Sequence, residues 1–340
     1  MNGMTTSIPA RLAYDVFNGD ADGICALHQL RLAHPSDAVL VTGVKRDVSL
    51  LKKVPCRNNI DAVVLDVSVD ANADALRDMI DTGAHVTYFD HHSAQQAFKH
   101  PQLQLIWDDA PNVCTSILVD RYLQGQFRPW AVTAAFGDNL PMIGHELASD
   151  LGLKEGATRA LAELGLMLNY NAYGESVDDL HIAPCALYRA VHRFADPFDF
   201  IDAAPEYRVL CGGYLEDAAR MDDLRPSWQS EIGAVYILPS TPWARRISGI
   251  FANQLVSPGC TRSYAVLTEM PNGAYVVSVR SGQPDRYSAN GLCARFPTGG
   301  GRKAAAGINC LPAGELDNFI QSFSEYFAGV PVVAGEMHVA

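Results

Sequence analysis

The sequence is short of positive charge. Lysine and arginine number 26 against 38 aspartates and glutamates, a formal net charge of −12 over 340 residues. A protein that grips long duplex nucleic acid neutralises many phosphates with a broad basic face, and this balance argues against such a partner. Paired cysteines are also missing. The eight, at Cys25, Cys56, Cys114, Cys185, Cys211, Cys260, Cys293 and Cys310, include no C-x-x-C, which excludes a zinc ribbon or thioredoxin-like motif and reads as reduced, mostly buried thiols. No apolar run approaches the ~20 residues of a membrane span. The first residues show no basic stretch leading into an apolar one, so no signal peptide is expected, and the expectation is a cytoplasmic protein. Repeats and low-complexity segments are absent as well.

Hydrophobic residues make up 48% and charged residues 19%, ordinary for an enzyme with a sizeable core, and the length suits two domains. Strand-like runs at Leu12–Phe17, Ala38–Thr42, Ala62–Val67 and His85–Phe89 alternate with helical spacing at Gly23–Ala33 and Ala73–Ile80. That alternation predicts an α/β fold whose N-terminal sheet is doubly wound and mostly parallel. From Pro111 to about Leu224 the pattern turns helical, an extension of the same domain. Strand signals return at Ala234–Leu238, Ser263–Leu267 and Ala274–Val279, with helices at Trp243–Leu255 and Glu315–Phe327, a second and smaller α/β domain. The expected bounds are 10–222 and 230–335.

Acidic residues close three of the expected strands. Asp20 and Asp22 lie in FNGDADG, Asp66 ends VVLD, and Asp90 ends TYFD and runs into His91 and His92. The functional crevice of an open α/β sheet lies beyond the carboxyl ends of its strands, so these side chains should converge. An aspartate in a post-strand turn also serves as a plain helix N-cap; the coincidence of three such strand ends in order favours a shared site. Carboxylates gathered this closely repel one another unless a cation sits among them. A mixed Asp and His set suits Mn²⁺, with Mg²⁺ or Zn²⁺ less favoured. A shared carboxylate such as Asp66 could bridge two ions. Asp138, in AAFGDN at the end of a helical stretch, is a further ligand candidate.

FNGDADGICA, VVLDVS, YFDHH and AAFGDN, in that order, resemble the four motifs of the DHH phosphoesterase superfamily. Its branches include RecJ-like single-strand exonucleases, oligoribonucleases of the nanoRNase type, cyclic-dinucleotide phosphodiesterases, and pyro- and polyphosphatases. VVSVRS and FPTGGGRKAAAG resemble the family's C-terminal DHH-associated substrate domain. The resemblance implies two divalent ions, Mn²⁺ first and Mg²⁺ second. Asp20 and Asp66 would hold one, and Asp22, Asp66, His91 and Asp138 the other. Asp90 would orient the cluster, and His92 would face the phosphate and act on the leaving oxygen. Two positions depart from the family's pattern. Asn18 stands where many members carry His or Asp, a poorer ligand. Arg302 stands where nanoribonuclease-like members often carry His.

Gly299, Gly300 and Gly301 would let the backbone approach an anion and aim N–H groups at it. Arg302 and Lys303 would follow at the start of a helix, with Arg280 joining from a strand end. Lys45 and Arg46, after the second strand, could also meet a phosphate. Arg245 and Arg246 lie on a helix, one of them suited to an ion pair. The polar stretch around Asn169, Asn171 and Tyr173 reads as a helix terminus with packed tyrosines or as a cleft lining, and His28 and His34 as structural. The functional expectation is a hydrolase acting on a short oligonucleotide, a nucleotide or another small phosphorylated substrate. Hydrolysis of inorganic polyphosphate or pyrophosphate is the alternative, and a catalytically weak nucleotide-binding protein a third reading. A homodimer stays open.

Overall fold

A computed structural model describes residues 11–257 and 259–329. The chain divides into two compact units, the first ending at Tyr214 and the second beginning at Leu215.

The first unit holds an all-parallel sheet of β1 (Leu12–Phe17), β2 (Val39–Val41), β3 (Ile60–Leu65), β4 (His85–Asp90) and β5 (Leu103–Trp107), in the order β2-β1-β3-β4-β5. The central strands are apolar on both faces because helices cover both. Phe17, Leu65 and Phe89 point into one core with α1 (Ala21–Ala33), while Val16, Val64 and Tyr88, one residue earlier on each strand, point into the other with α2 (Val69–Asp81). The chain leaves β1 for β2 and then returns to β3 on the far side of β1. The switch point therefore lies between the carboxyl ends of β1 and β3, where such sheets open a crevice.

A layer of helices follows: α3 (Thr115–Tyr122), α4 (Arg128–Gly137), α5 (Pro141–Asp150), α6 (Glu155–Tyr170), α7 (Pro184–Val191), α8 (Pro197–Ala203) and α9 (Pro205–Ala218). Helix α1 lies in the middle of this layer, with every residue from Ala21 to Arg31 buried. None of the described helices is long and apolar enough to cross a membrane.

The second unit is a mixed sheet of β6 (Trp228–Ser230), β7 (Gly233–Leu238), β8 (Ser263–Glu269), β9 (Tyr275–Arg280), β10 (Gly299–Gly301) and β11 (Ala305–Leu311), in the order β10-β11-β9-β8-β7-β6. Only β7 and β8 run parallel, joined by α10 (Pro242–Gln254); the other pairs are antiparallel. Two further helices, α11 (Ala289–Cys293) and α12 (Leu316–Ala328), complete it, and Phe319, Phe323 and Phe327 of α12 enter the core at helical spacing.

Three expectations are corrected. Strand β5 is absent from the sequence reading, because it is a half-exposed edge strand without a dense apolar run. No helix begins at Arg302: the backbone N–H of Arg302 donates to Ala305 O (2.8 Å), closing a turn between β10 and β11. The alanines after it belong to β11, which is paired on both sides, to β9 and β10, and that pairing overrides local propensity. The thiols are less buried than expected: Cys25, Cys114 and Cys293 are buried, while Cys56 and Cys310 are exposed.

Candidate metal centre

Backbone amides, a helix end and one left-handed residue position the acidic residues of the crevice. Asp20 caps α1, its Oδ1 accepting from the N–H groups of Asp22 and Gly23 (both 3.0 Å), while its Oδ2 meets the ammonium of Lys45. Gly23 is required for this turn, since a Cβ there would lie 2.1 Å from Asn18 O. The carboxylate of Asp22 takes the first turn of α3: Oδ2 accepts from Thr115 N and Oδ1 from Ser116 N, both at 2.7 Å. Asp66 follows β3 with φ +59°, a left-handed conformation that aspartate tolerates better than most residues. Asp138 is the C-cap of α4. The preceding Gly137 packs so tightly that an added Cβ would meet Ala21 Cβ at 2.4 Å and Gly165 O at 2.9 Å. That close approach carries Asp138 to the crevice.

His91 is the centre of the cluster. Its Nδ1 lies 3.0 Å from Val113 O, and its Nε2 lies 3.4 Å from Asp66 Oδ1, 3.8 Å from Asp138 Oδ2 and 3.9 Å from Asp22 Oδ2. A histidine that donates one ring N–H to a backbone carbonyl keeps a lone pair on the other nitrogen, as in metal-ligating histidines. Here that nitrogen faces three carboxylates, an arrangement a divalent cation would stabilise. Two groups of donor atoms in the described residues are close enough together to hold an ion: Asp22, His91 and Asp138, and Asp66, His91 and His92. The donor set thus fits a divalent ion.

The protonation equilibria report the same crowding. Burial pushes Asp22 up to about 6, with Asp138 and Asp20 adding to the effect and His91 opposing it. Burial, reinforced by the charges of Asp20, Asp22 and Asp138, holds the Asp66 carboxyl well above its usual range. Asp20 behaves differently. Burial would raise it, but the charge and hydrogen bond of Lys45, with hydrogen bonds from Asp66 and the Gly23 amide, outweigh burial and bring it down to about 2. For Lys45, burial is likewise outweighed by Asp20, Tyr173 and Asp138 together, and the ammonium is held charged.

Asp90 and His92 form a separate pair. Asp90 Oδ1 accepts from His92 N (3.1 Å) and lies 2.7 Å from His92 Nδ1, while Oδ2 accepts from Val69 N at the start of α2 (3.0 Å). Burial lowers the His92 pKa, but the hydrogen bond and charge of Asp90, with the charges of Asp138 and Asp22, more than reverse this, and the net shift is upward. Asp90 is fully buried, whereas His92 is partly open to solvent.

Of the residues offered as candidates outside the cluster, Lys45 enters the site and Arg46 is exposed, with Glu175 as its charged neighbour. The carboxamide of Asn18 is engaged at both ends: Oδ1 accepts from Asp20 N (3.3 Å) and Nδ2 donates to Lys45 O (3.3 Å). The polar stretch at the end of α6 divides. Asn169 Oδ1 accepts from Lys45 Nζ (3.1 Å), and the Tyr173 ring centroid lies 5.8 Å from that nitrogen. Asn171 instead exchanges hydrogen bonds with the backbone of Ile182. The sequence reading did not foresee that the Thr115 and Ser116 amides grip Asp22; only the start of a helix after PNVC hints at it. His28 is structural, between His192 and Phe194 O, and Arg246 pairs with Asp217.

In the second unit, Gly299–Gly301 form the edge strand β10. Thr298 O accepts from Asn309 N and Ala305 O from Arg302 N. By antiparallel alternation the N–H of Gly300 then points into the sheet, and the run is no continuous nest of N–H groups as expected. Arg280 donates to Asn253 Oδ1 (2.7 Å), and Arg302 is exposed.

No family model and no curated protein sequence matches this chain. Solved structures do. A manganese-bound exonuclease RecJ superposes with a TM-score of 0.64 at 16% identity, covering 95% of this chain and 91% of that one. RecJ from Thermus thermophilus in complex with Mn²⁺ gives 0.59 at 16% identity over 95% of this chain, which spans only 53% of that protein. The pGpG-specific phosphodiesterase PggH from Vibrio cholerae gives 0.55 at 13% identity, covering 94% and 100%. The chain shares the RecJ-like fold of these structures.

Proposed function

We propose that this chain is a divalent-metal-dependent phosphoesterase of the DHH type, acting on a short oligonucleotide or a linear dinucleotide. The observation that carries the reading is His91, with Nδ1 on a backbone carbonyl and Nε2 facing Asp22, Asp66 and Asp138. Those four residues would hold the ion, Mn²⁺ by preference, and the ion supplies Lewis acidity at the crevice when bound. His92, held by Asp90 at the open side, hydrogen-bonds the phosphate and donates to the leaving oxygen. Residues 10–222 carry the chemistry in this reading, and 230–335 bind substrate, with Arg302 and Arg280 as anion contacts. The manganese in the RecJ structures and the pGpG specificity of PggH support the choice of metal and substrate class.

The test is a substrate panel in Mn²⁺: short RNA, pGpG-type linear dinucleotides, 3′-phosphorylated adenosine nucleotides and tripolyphosphate. Mononucleotide release from the short RNA or the dinucleotide is expected. Release of phosphate from tripolyphosphate with the nucleic acids inert would replace the substrate class, and no hydrolysis of any member would sink the enzyme reading.

A further inference from the structure

The side of the cluster around Asp20 does not fit a second ion. Lys45 Nζ meets Asp20 Oδ2, lies 3.8 Å from Asp138 Oδ1 and donates to Asn169 Oδ1 at 3.1 Å. Its backbone is fixed too, with N donating to Ala172 O (2.9 Å) and O accepting from the Asn18 carboxamide. Four separate partners thus place this one ammonium beside the aspartate, and Tyr173 flanks it. Among the described residues, neither group of donors that could hold a metal includes Asp20.

Resting on the metal-centre reading above, we propose that the chain binds a single divalent ion, through Asp22, Asp66, His91 and Asp138, and that the Lys45 ammonium takes the place of a second ion beside Asp20. Asn18 belongs to the same device. An imidazole or carboxylate at that position would offer a metal a ligand; the amide instead tethers the lysine's backbone and the Asp20 N–H, and brings no charge. A resident monovalent cation neutralises Asp20 and repels a second divalent ion from the adjoining space. Because it is covalently part of the chain, it cannot be removed by chelation. Lys45 is here a positioning and charge-balancing residue.

Manganese stoichiometry tests this directly, by equilibrium dialysis and low-temperature EPR of the full chain, with circular dichroism to confirm folding. The wild type should bind one Mn²⁺ and show an uncoupled six-line spectrum. Lys45→Ala should bind two and show the broadened multiline signal of an exchange-coupled pair, and Lys45→Arg should stay at one. If Lys45→Ala fails to fold, Lys45→Gln, which keeps a hydrogen-bonding side chain without the charge, is expected to bind two in the same way. Two coupled ions in the wild type would overturn the proposal, as would one ion in both wild type and the neutral variants. No bound ion in the wild type would instead remove the metal-centre reading itself, so the two failures are distinguishable without measuring activity.

Discussion

The crevice at the carboxyl ends of β1, β3 and β4 is crowded with charge that water barely reaches, whereas the β10–β11 hairpin carries its charge in the open. Asp20, Asp22, Asp66, Asp90 and His91 are all buried, and each has its position set by backbone amides, a backbone carbonyl or a neighbouring charge. Arg302 and Lys303 are exposed, and Lys303 has only a long ion pair to Asp285 at 3.4 Å between two exposed side chains. A buried charge is costly unless it is compensated, so the arrangement of the crevice constrains what can occupy it. An exposed cation costs little and constrains little. The first region therefore speaks to chemistry, and the second only to affinity.

Four measurements break or sharpen that contrast. The largest effect is expected at Asp66. Asp66→Asn keeps a residue suited to the left-handed backbone and removes the charge; metal binding by dialysis should fall sharply and kcat should drop about 10³-fold. Retained metal and activity would dissolve the cluster as a functional unit. Next, His92→Gln should lower kcat about 10²-fold with metal content unchanged; lost metal would move His92 among the ligands, with Asp66 and His91.

The third concerns stability rather than activity. Burial, with His192 adding and Phe194 O opposing, brings His28 from the ordinary 6.5 down to about 3. Its folded pKa is depressed, so the folded chain stays unprotonated there while the unfolded chain takes up a proton below 6.5. The stability is fully present above pH 6.5 and is lost as pH falls towards 3, with a slope of about 1.4 kcal/mol per pH unit. Urea unfolding of wild type and His28→Asn between pH 6.5 and 4 should differ by that slope; parallel curves would refute it. The smallest effect belongs to the open hairpin: Arg302→Ala should raise KM less than about tenfold and leave kcat unchanged. A large loss of kcat would mean that the hairpin takes part in the chemistry after all.

Legibility in the sequence follows the same division. Strands β1, β3 and β4 are readable because both their faces are buried, which leaves dense apolar runs, and the acidic residues directly after them mark the crevice. Strand β5 has alternate faces half in water and no such run. Strand β10 is all glycine and β11 opens on Ala-Ala-Gly, small side chains that carry no pleat signal, so the pairing of β10 to β11 and of β11 to β9 was invisible.

By itself the sequence determined the alternating fold and the order of the motifs, and it marked Asp20, Asp66, Asp90 and Asp138 as candidates at the ends of strands and helices, with Asp22, His91 and His92 beside them. Only the tertiary structure decided how the set divides. Lys45 reaches Asp20 because β2 lies beside β1, and it is held there by Asn169, 124 residues further along the chain. Local pattern can mark a strand end; which group stands opposite that end depends on long-range packing, and here the packing places an ammonium beside one aspartate and the Nε2 of a histidine among the others.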